Sequence, residues 1–405
     1  MSQAWRATLF TASLYLLVGA TLPYAPVWLE QARGFAGWQI AGAISAATLL
    51  RIIVGPVSAA WSEQIGLRSV LIAISAILTI GYALLLFAPM AALIIALIIA
   101  VYLAWGAAMP LSEALLMSAT RSKRPDYGVA RAIGSAAFIA ASLAVGALVR
   151  THGSDIAVIW MAAASGLMVI TAAWMKPDRP ALVAARPSLA TTLREGGALY
   201  RDRRILLAAL AAALIQSAHA QYYNFGSILW IAQGIDETQV GILWSVGVLA
   251  EIVFLAVSGV MLKGKTVTPG TLIMLGGAGA VVRWTLTGFA PSLTALYALQ
   301  TLHALSFAAT LVGTLRFLEE ELAPEKVPIA VSINSALGFG PLLAGAGVIG
   351  GILFDALDTA GPQAQAQSYW LMAAMAAIGL VLCIPLLRRR QPQSAGLGGE
   401  TRAPS

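Results

Sequence analysis

The chain has 405 residues, of which 59% are hydrophobic and 11% charged, and its mean hydropathy is +0.82. Soluble domains carry about 25% charged residues, so a chain this poor in charge cannot coat a water-soluble surface and must use lipid as its main solvent. Most of the cations that give the formal net charge of +7 lie in loops between apolar runs, so we expect a membrane protein without a nucleic-acid partner.

Apolar segments follow one another along the chain, and crossing a bilayer takes about 20 such residues. The first, Ala7–Leu29, is too long for the core of a signal peptide and is interpreted as an uncleaved span. The uncharged run Ser69–Ser112 predicts two spans that turn near Ala88. Twelve spans are predicted in all, and the others are Gly34–Ser62, Ala132–Val149, Ile156–Met175, Ile205–Gly234, Thr238–Leu262, Thr266–Phe289, Ser292–Thr314, Val327–Phe354 and Ser368–Leu387.

Lysine and arginine alternate sharply between the loops on the two sides of these spans. If the N-terminus is cytoplasmic, 21 of the 25 cations lie in cytoplasmic loops or termini, and only Arg33 and Arg150 lie on the other side. Cytoplasmic loops of membrane proteins carry an excess of lysine and arginine. The sequence therefore predicts a multi-pass protein of the inner membrane with both termini in the cytoplasm.

The longest basic loop, residues 176–204, divides the spans into two sets of six. Residues 1–175 are predicted to form an N-terminal six-helix half and residues 205–388 a C-terminal half, with a disordered cytoplasmic tail over 389–405. An all-α integral membrane protein of this layout resembles the major facilitator transporters, which bind solute near mid-membrane between the halves. We expect it to function as a monomer.

Four charged residues lie inside predicted spans, where a charge costs about 2.5–3.5 kcal/mol at a helix centre. They are Arg51, Glu113, Glu251 and Arg283, one of each sign in each half. This distribution predicts two pairs, Arg51 with Glu113 and Arg283 with Glu251. The pairs could be purely structural, or Glu113, Glu251 and Arg283 could couple transport to protons. Arg51 or Arg283 could bind an anionic group, because a guanidinium bonds a carboxylate bidentately.

A polar and aromatic stripe in the seventh span includes Gln216, His219 and Tyr223, which share one helical face, and the adjacent Tyr222. Such a stripe is expensive against lipid, so we expect it to face a cavity and bind solute; hydrogen bonding between helices is the alternative. His303 in the tenth span suits proton relay or solute binding, unless it is a neutral histidine bonded to a neighbouring helix. The candidate solute-binding set also includes Trp244, Gln300 and Asn334.

Several segments, in order along nearly the whole chain, resemble the phenylpropionate permease family of proton-linked major facilitator proteins. They are Asp126–Ser135, Gln216–Tyr223, Leu243–Glu251, Val282–Trp284 and Leu299–His303. This family is related more distantly to lactose permease and to nucleoside symporters.

The loop after the second span resembles the acid-x-x-Gly-x-basic signature of the superfamily. Glu63, Gly66 and Arg68 occupy its positions, although Glu63 stands where Asp is usual and Ala59 where the leading Gly would sit. The resemblance implies a gate at the cytoplasmic side, with which we group Asp126 and Arg131.

The resemblance implies proton-coupled uptake of an aromatic carboxylic acid, such as 3-phenylpropionate, by alternating access. Its partners would be a small solute, protons and the lipid bilayer. Proton symport of a neutral sugar or nucleoside is the alternative. A transport fold used as a sensor or as an intramembrane enzyme is a remote one, because the sequence has no metal-ligand cluster, nucleophile motif or phosphate-binding glycine loop. We therefore expect neither an enzyme nor a cofactor.

Overall fold

The computed structural model describes residues 1–121, 123–177, 194, 196–263 and 267–387, and this part of the chain is helical with no strand. Helices satisfy every backbone polar group within one segment, which lipid requires. The long helices are numbered in chain order as α1 Gln3–Gln31, α2 Gly37–Ile65, α3 Leu67–Phe87, α4 Ala91–Thr120, α5 Tyr127–His152, α6 Asp155–Ala173, α7 Arg203–Ala232, α8 Glu237–Lys263, α9 Pro269–Thr287, α10 Leu293–Glu321, α11 Pro324–Ala356 and α12 Pro362–Leu387.

Eleven of these helices are long and apolar enough to cross a membrane, and α9 is the exception among the described residues. It carries Arg283, which lowers its mean hydropathy, although its 19 residues equal the length of α6. However, Gly270 lies beside Leu386 and Gly277 beside Leu380, so α9 runs antiparallel to α12 along most of its length. It therefore crosses the same layer as its neighbours, as the sequence predicts.

Helix ends agree with the predicted spans where a turn signal is present and extend beyond them where a charge marked the predicted end. The predicted turn near Ala88 falls between α3 and α4. By contrast, α4 continues past Ser112 to Thr120, and within this stretch the Glu113 carboxylate accepts a hydrogen bond from the Tyr127 hydroxyl.

Helices α1–α6 pack mainly on one another, as do α7–α12. The two sets meet mainly along three pairs of helices, namely α2 with α11, α5 with α8, and α1 with the second part of α7. Glycine permits the close approach at these crossings: Gly241 of α8 lies against the backbone of Ser142, and Gly351 of α11 lies against Ala41.

The contacts between the two sets lie toward one end of the bundle. We call the end that holds residues 1–3 and 387 the basic end, after its loops, and the other the opposite end. The bonds between the sets join Tyr24 to the Glu237 carbonyl at 3.0 Å, Ser45 to the Ala344 carbonyl at 2.9 Å, Arg150 to Asp236 at 3.9 Å, and the Gly37 and Trp38 amides to Asp355. At the basic end, no hydrogen bond or ion pair joins the sets among the described residues.

The predicted linker and tail lie largely outside the described residues. Residues 178–193 and 195 of the linker and all of 389–405 fall in this category. The described end of the linker docks on α11, where the Tyr200 hydroxyl donates to the Ala330 carbonyl at 3.0 Å. Burial raises the pKa of Tyr200 to about 12, so this hydroxyl remains a donor at neutral pH.

Three helices that carry candidate site residues depart from regular α geometry. The α7 helix is interrupted between Ser217 and Ala220. Segments of π-helix run over Ala304–Ala309 in α10 and Asn334–Phe339 in α11. Such π segments occur frequently at functional sites.

Replacing Gly19 with valine should destabilise the bundle, because a side chain there would overlap the Phe138 backbone where α1 crosses α5. Overpacking of this kind costs about 1–3 kcal/mol. We expect a lower melting temperature for the purified protein. Gly42→Val is the matched control, since the space around Gly42 is open, and equal losses in the two variants would contradict the α1–α5 crossing.

Candidate functional site

Arg283 is a fully buried cation at the centre of the second set of helices. Its Nη2 donates to Gln300 Oε1 at 2.7 Å, and its Nη1 donates to His303 Nδ1 at 3.0 Å and Ser306 Oγ at 3.2 Å. All three acceptors lie on α10, which runs antiparallel to α9. No carboxylate lies within ion-pair distance of Arg283 in the described part of the chain.

Aromatic rings take the place of a counter-ion around Arg283. The guanidinium carbon lies 4.8 Å from the ring centre of Tyr222 and 4.4 Å from that of Trp284. Tyr222 in turn stacks on Trp244, with ring centres 4.2 Å apart. A desolvated cation–π contact contributes about 2 kcal/mol or more. The charge is thus stabilised by ring faces and neutral acceptors.

The guanidinium fixes where the neighbouring protons lie, because it can only donate. His303 Nδ1 must therefore accept, which places the proton of the neutral ring on Nε2, 3.8 Å from Glu251 Oε2. The Ser306 hydroxyl accepts from Arg283 and donates to His219 Nε2 at 3.2 Å. His219 then donates through Nδ1 to the Gln216 carbonyl at 3.0 Å.

The predicted pair between Arg283 and Glu251 is not formed directly. His303 lies between them, with Nδ1 toward the guanidinium and Nε2 toward the carboxylate. The Glu251 side chain is 17% exposed, whereas Arg283 is completely buried. Of the two charges, only the carboxylate is partly exposed at the surface of its helices.

The predicted pair between Arg51 and Glu113 is absent. Arg51 Nη2 donates to the Tyr102 carbonyl at 3.2 Å, and the guanidinium carbon lies 4.9 Å from the Trp105 ring centre. Glu113 lies eleven residues beyond Tyr102 on α4, which corresponds to about 16 Å along the helix axis. Instead, Glu113 pairs with Tyr127.

A second polar group lies where α1, α4, α5 and α8 approach one another. Tyr15 is within electrostatic range of Glu113, Arg131 and Glu251. The Arg131 guanidinium carbon lies 4.6 Å from the Tyr15 ring centre, and its Nη1 donates to Ser135 Oγ at 3.2 Å. Titratable side chains from both sets of helices thus meet between them.

The stripe predicted on the seventh span is divided by the interruption of α7. His219 and Tyr222 are buried in the Arg283 cluster, whereas Gln216 and Tyr223 are half-buried. Gln216 Nε2 donates to the Phe307 carbonyl at 3.1 Å. Part of the stripe therefore bonds helices together, which is the alternative left open by the sequence.

Two further candidates are placed differently. Trp244 is buried and donates through Nε1 to Ser227 Oγ at 2.9 Å, while its ring supports Tyr222. Asn334 lies at the start of the π segment of α11, with its amide oxygen beside Gly338 of the same helix. The structure does not bring Arg51 or Asn334 into the Arg283 cluster.

The predicted gate residues lie at helix ends on the basic side. Gly66 joins α2 to α3 with a φ of 90°, a conformation that favours glycine. Arg68 Nη2 donates to the Ala173 carbonyl at 2.8 Å, at the end of α6. Asp126 caps α5 by accepting from the Val129 amide at 2.9 Å. Glu63 is half-buried in the last turn of α2.

Sequence reasoning missed Ser306 and Tyr127 as site residues. Ser306 follows Gln300 and His303 at intervals of three, so the helical period of α10 carried a usable signal. Tyr127 had no such signal, because its contact with Glu113 depends on how α4 and α5 pack. Among the described residues, no group of three or more His, Cys, Asp or Glu side chains could hold a metal ion.

Comparison with known proteins gives relatives along most of the chain. A family model described as "MFS_1 like family" matches residues 5–361. A probable 3-phenylpropionic acid transporter of Escherichia coli (strain K12) is 28% identical over 270 residues, which is 66% of this chain and 67% of that protein. The raffinose permease of Escherichia coli is 24% identical over 337 residues, 78% of this chain and 77% of that protein.

Two groups of solved structures share the fold at low identity. The nucleoside transporter NupG has a TM-score of 0.77 at 14% identity, covering 96% of this chain and 100% of that chain. A bacterial homologue of the human lysosomal transporter Spinster, in an inward-facing and unoccupied conformation, has a TM-score of 0.71 at 12% identity, covering 96% and 98%. The all-helical fold predicted from the sequence is confirmed.

Arg283→Lys should destabilise the protein more than Arg51→Lys does. Arg283 donates from two nitrogens of its planar fork to three side-chain acceptors, a geometry that the point-like ammonium of lysine does not match, whereas Arg51 donates to one carbonyl. Each hydrogen bond to a charged group contributes about 1.5–3 kcal/mol. The melting temperatures of the two purified variants test this, and equal losses would contradict the network around Arg283.

Proposed function

Because the chain belongs to the MFS_1 like family and is a secondary transporter of the major facilitator type, we propose that it couples the movement of an aromatic carboxylate to that of protons. The basic end would face the cytoplasm, following the distribution of lysine and arginine. The observation that carries this proposal is the unequal hydrogen bonding of the two arginines within the spans. Arg283 donates to three side chains, whereas Arg51 donates to one backbone carbonyl.

Arg51 is the cation we assign to the solute carboxylate. Among the described residues its one hydrogen bond is to a backbone carbonyl at 3.2 Å, and its Nε, like that of Arg283, has no partner there. The Trp105 ring beneath the guanidinium offers an aromatic face beside the cation. A carboxylate could bond the guanidinium fork bidentately while its aryl group packs on nearby rings.

Glu251 and His303 are the residues we assign to proton coupling. The carboxylate is partly exposed, and His303 Nε2 lies 3.8 Å away, beyond hydrogen-bond length but within ion-pair range. A small shift of α8 toward α10 would bring the ring N–H into hydrogen-bond contact with an ionised Glu251. Proton uptake by Glu251 removes that attraction, so its protonation would be linked to the spacing of two helices.

Curated relatives also include sugar permeases, and neutral sugars are the alternative solutes. The raffinose permease and the maltose permease of Geobacillus stearothermophilus are each 24% identical to this chain. In that case Arg51 would only pack between α2 and α4. The binding affinity for a neutral solute would then not depend on the guanidinium fork of Arg51, and this distinguishes the two alternatives.

Glu251→Gln should abolish accumulation of solute against a gradient while leaving exchange of preloaded solute, because exchange requires no net proton movement. Flux into proteoliposomes with an imposed pH gradient, with and without a protonophore, measures both activities. Asp358→Asn, an exposed carboxylate at the opposite end, is the control and should keep both. Equal loss of accumulation and exchange in Glu251→Gln would refute its assigned role.

Arg51→Lys should weaken binding of 3-phenylpropionate by about tenfold, since lysine keeps the charge but loses the bidentate fork. Binding of the corresponding amide should change much less. Affinities of wild type and variant for acid and amide provide the measurement. If acid and amide bind alike, or if only sugars or nucleosides raise the melting temperature, the carboxylate assignment is wrong while the family assignment stands.

A further inference from the structure

Asp355, near the end of α11, bonds the first turn of α2 across the boundary between the two sets of helices. Its Oδ1 accepts from the Gly37 amide at 2.7 Å, and its Oδ2 accepts from the Trp38 amide at 2.8 Å. The described ion pairs do not include Asp355, so these two amides are the donors that the structure gives its carboxylate.

The α2 helix lacks an acceptor of its own at this point. Its N-cap residue is Ala36, whose side chain cannot accept a hydrogen bond. The first amides of a helix have no partner within the helix, and its N-terminus favours negative charge. A carboxylate from the other set of helices therefore supplies the cap that the sequence of α2 omits.

The surrounding packing holds Asp355 at this position. The preceding Phe354 stacks on Phe225 of α7 with ring centres 4.6 Å apart, and Phe225 also lies close to Gly37. A side chain at position 37 would overlap the Asp355 carboxylate, so glycine is needed for the contact. The same pair of helices continues inward to the hydrogen bond from Ser45 to the Ala344 carbonyl.

We propose that Asp355 is a latch that favours closure of the opposite end, because its cap on α2 can exist only while α2 and α11 are in contact there. Alternating access requires these helices to separate at that end. Separation exposes the carboxylate and the α2 amides to water at the same time. The proposal rests on alternating access in the proposed function, but not on the identity of the solute or of the coupling ion.

Asp355→Asn tests the latch, because asparagine keeps the shape but loses the charge and one acceptor. Ser45→Cys, made in a Cys383→Ser background, provides a buried reporter at the α2–α11 contact. A membrane-impermeant maleimide is applied from the side of the opposite end. A charged hydrogen bond contributes enough that its loss should raise the labelling rate about tenfold.

Asp358→Asn is the matched control, because this nearby carboxylate accepts from Gln365 within its own set of helices at 3.0 Å. Among the described residues across the boundary it is in electrostatic range only of the like-charged Glu30, so neutralising it removes no attraction between the sets. Its labelling rate should not rise. A second variant, Ala36→Asp together with Asp355→Asn, gives α2 a cap of its own without a link between the sets. This variant should recover the melting temperature and keep the fast labelling.

Three outcomes would overturn the latch. The Asp355→Asn variant could label at the rate of the parent protein, or Asp358→Asn could label equally fast. The Ala36→Asp substitution could also restore slow labelling, in which case Asp355 serves only to stabilise α2. Labelling needs no solute, so an incorrect solute assignment would leave each of these results unchanged.

Discussion

The burial of the Arg283 charge constrains the rest of the site more than any other interaction. A guanidinium does not lose its proton in proteins, so every neighbour of Arg283 must accept a hydrogen bond or present a ring face. This requirement orders the protons of His303, Ser306 and His219 in one direction away from the cation. The π segment that follows His303 occurs where α10 supplies these acceptors. The result is a buried polar cluster within the span region. The partly exposed carboxylate of Glu251 lies at the edge of this cluster, next to His303.

The two arginines within the membrane show how context separates residues of the same type. Arg283 makes three side-chain hydrogen bonds and two cation–π contacts, and it is inaccessible. Arg51 makes one hydrogen bond to a carbonyl and rests on a single ring. The first therefore organises the surrounding side chains, and in our proposal the second donates to the solute. In our proposal, solute recognition and proton coupling lie on different halves, so both must take part when the halves move.

The spans could be predicted well because lipid imposes their length and composition. The charged residues within them could be selected as candidate functional residues because a charge in lipid is costly. The sequence did not predict their partners. The balance of positive and negative charges in each half suggested that Arg51 pairs with Glu113. However, Arg51 contacts Tyr102, and Glu113 lies about three helical turns farther along α4. No proline lies near the interruption of α7, so the sequence carries no local signal for it. This interruption divides the predicted stripe. The contact between Gly37 and Asp355 joins residues 318 positions apart, and no local pattern encodes it.

The helices that carry the polar centre also form the contacts between the halves. In α7, His219 lies at the interruption, Tyr222 stacks against Arg283 one turn later, and Phe225 supports the Asp355 contact one turn after that. In α8, Gly241 packs against α5 near the opposite end, whereas Glu251 faces the space between the sets nearer the basic end. A change in the distance between α8 and α10 at His303 would therefore act on helices that also contact the other set at the opposite end. In our proposal, proton uptake at Glu251 would be communicated to the latch at Asp355 through α7, because packed helices move as units.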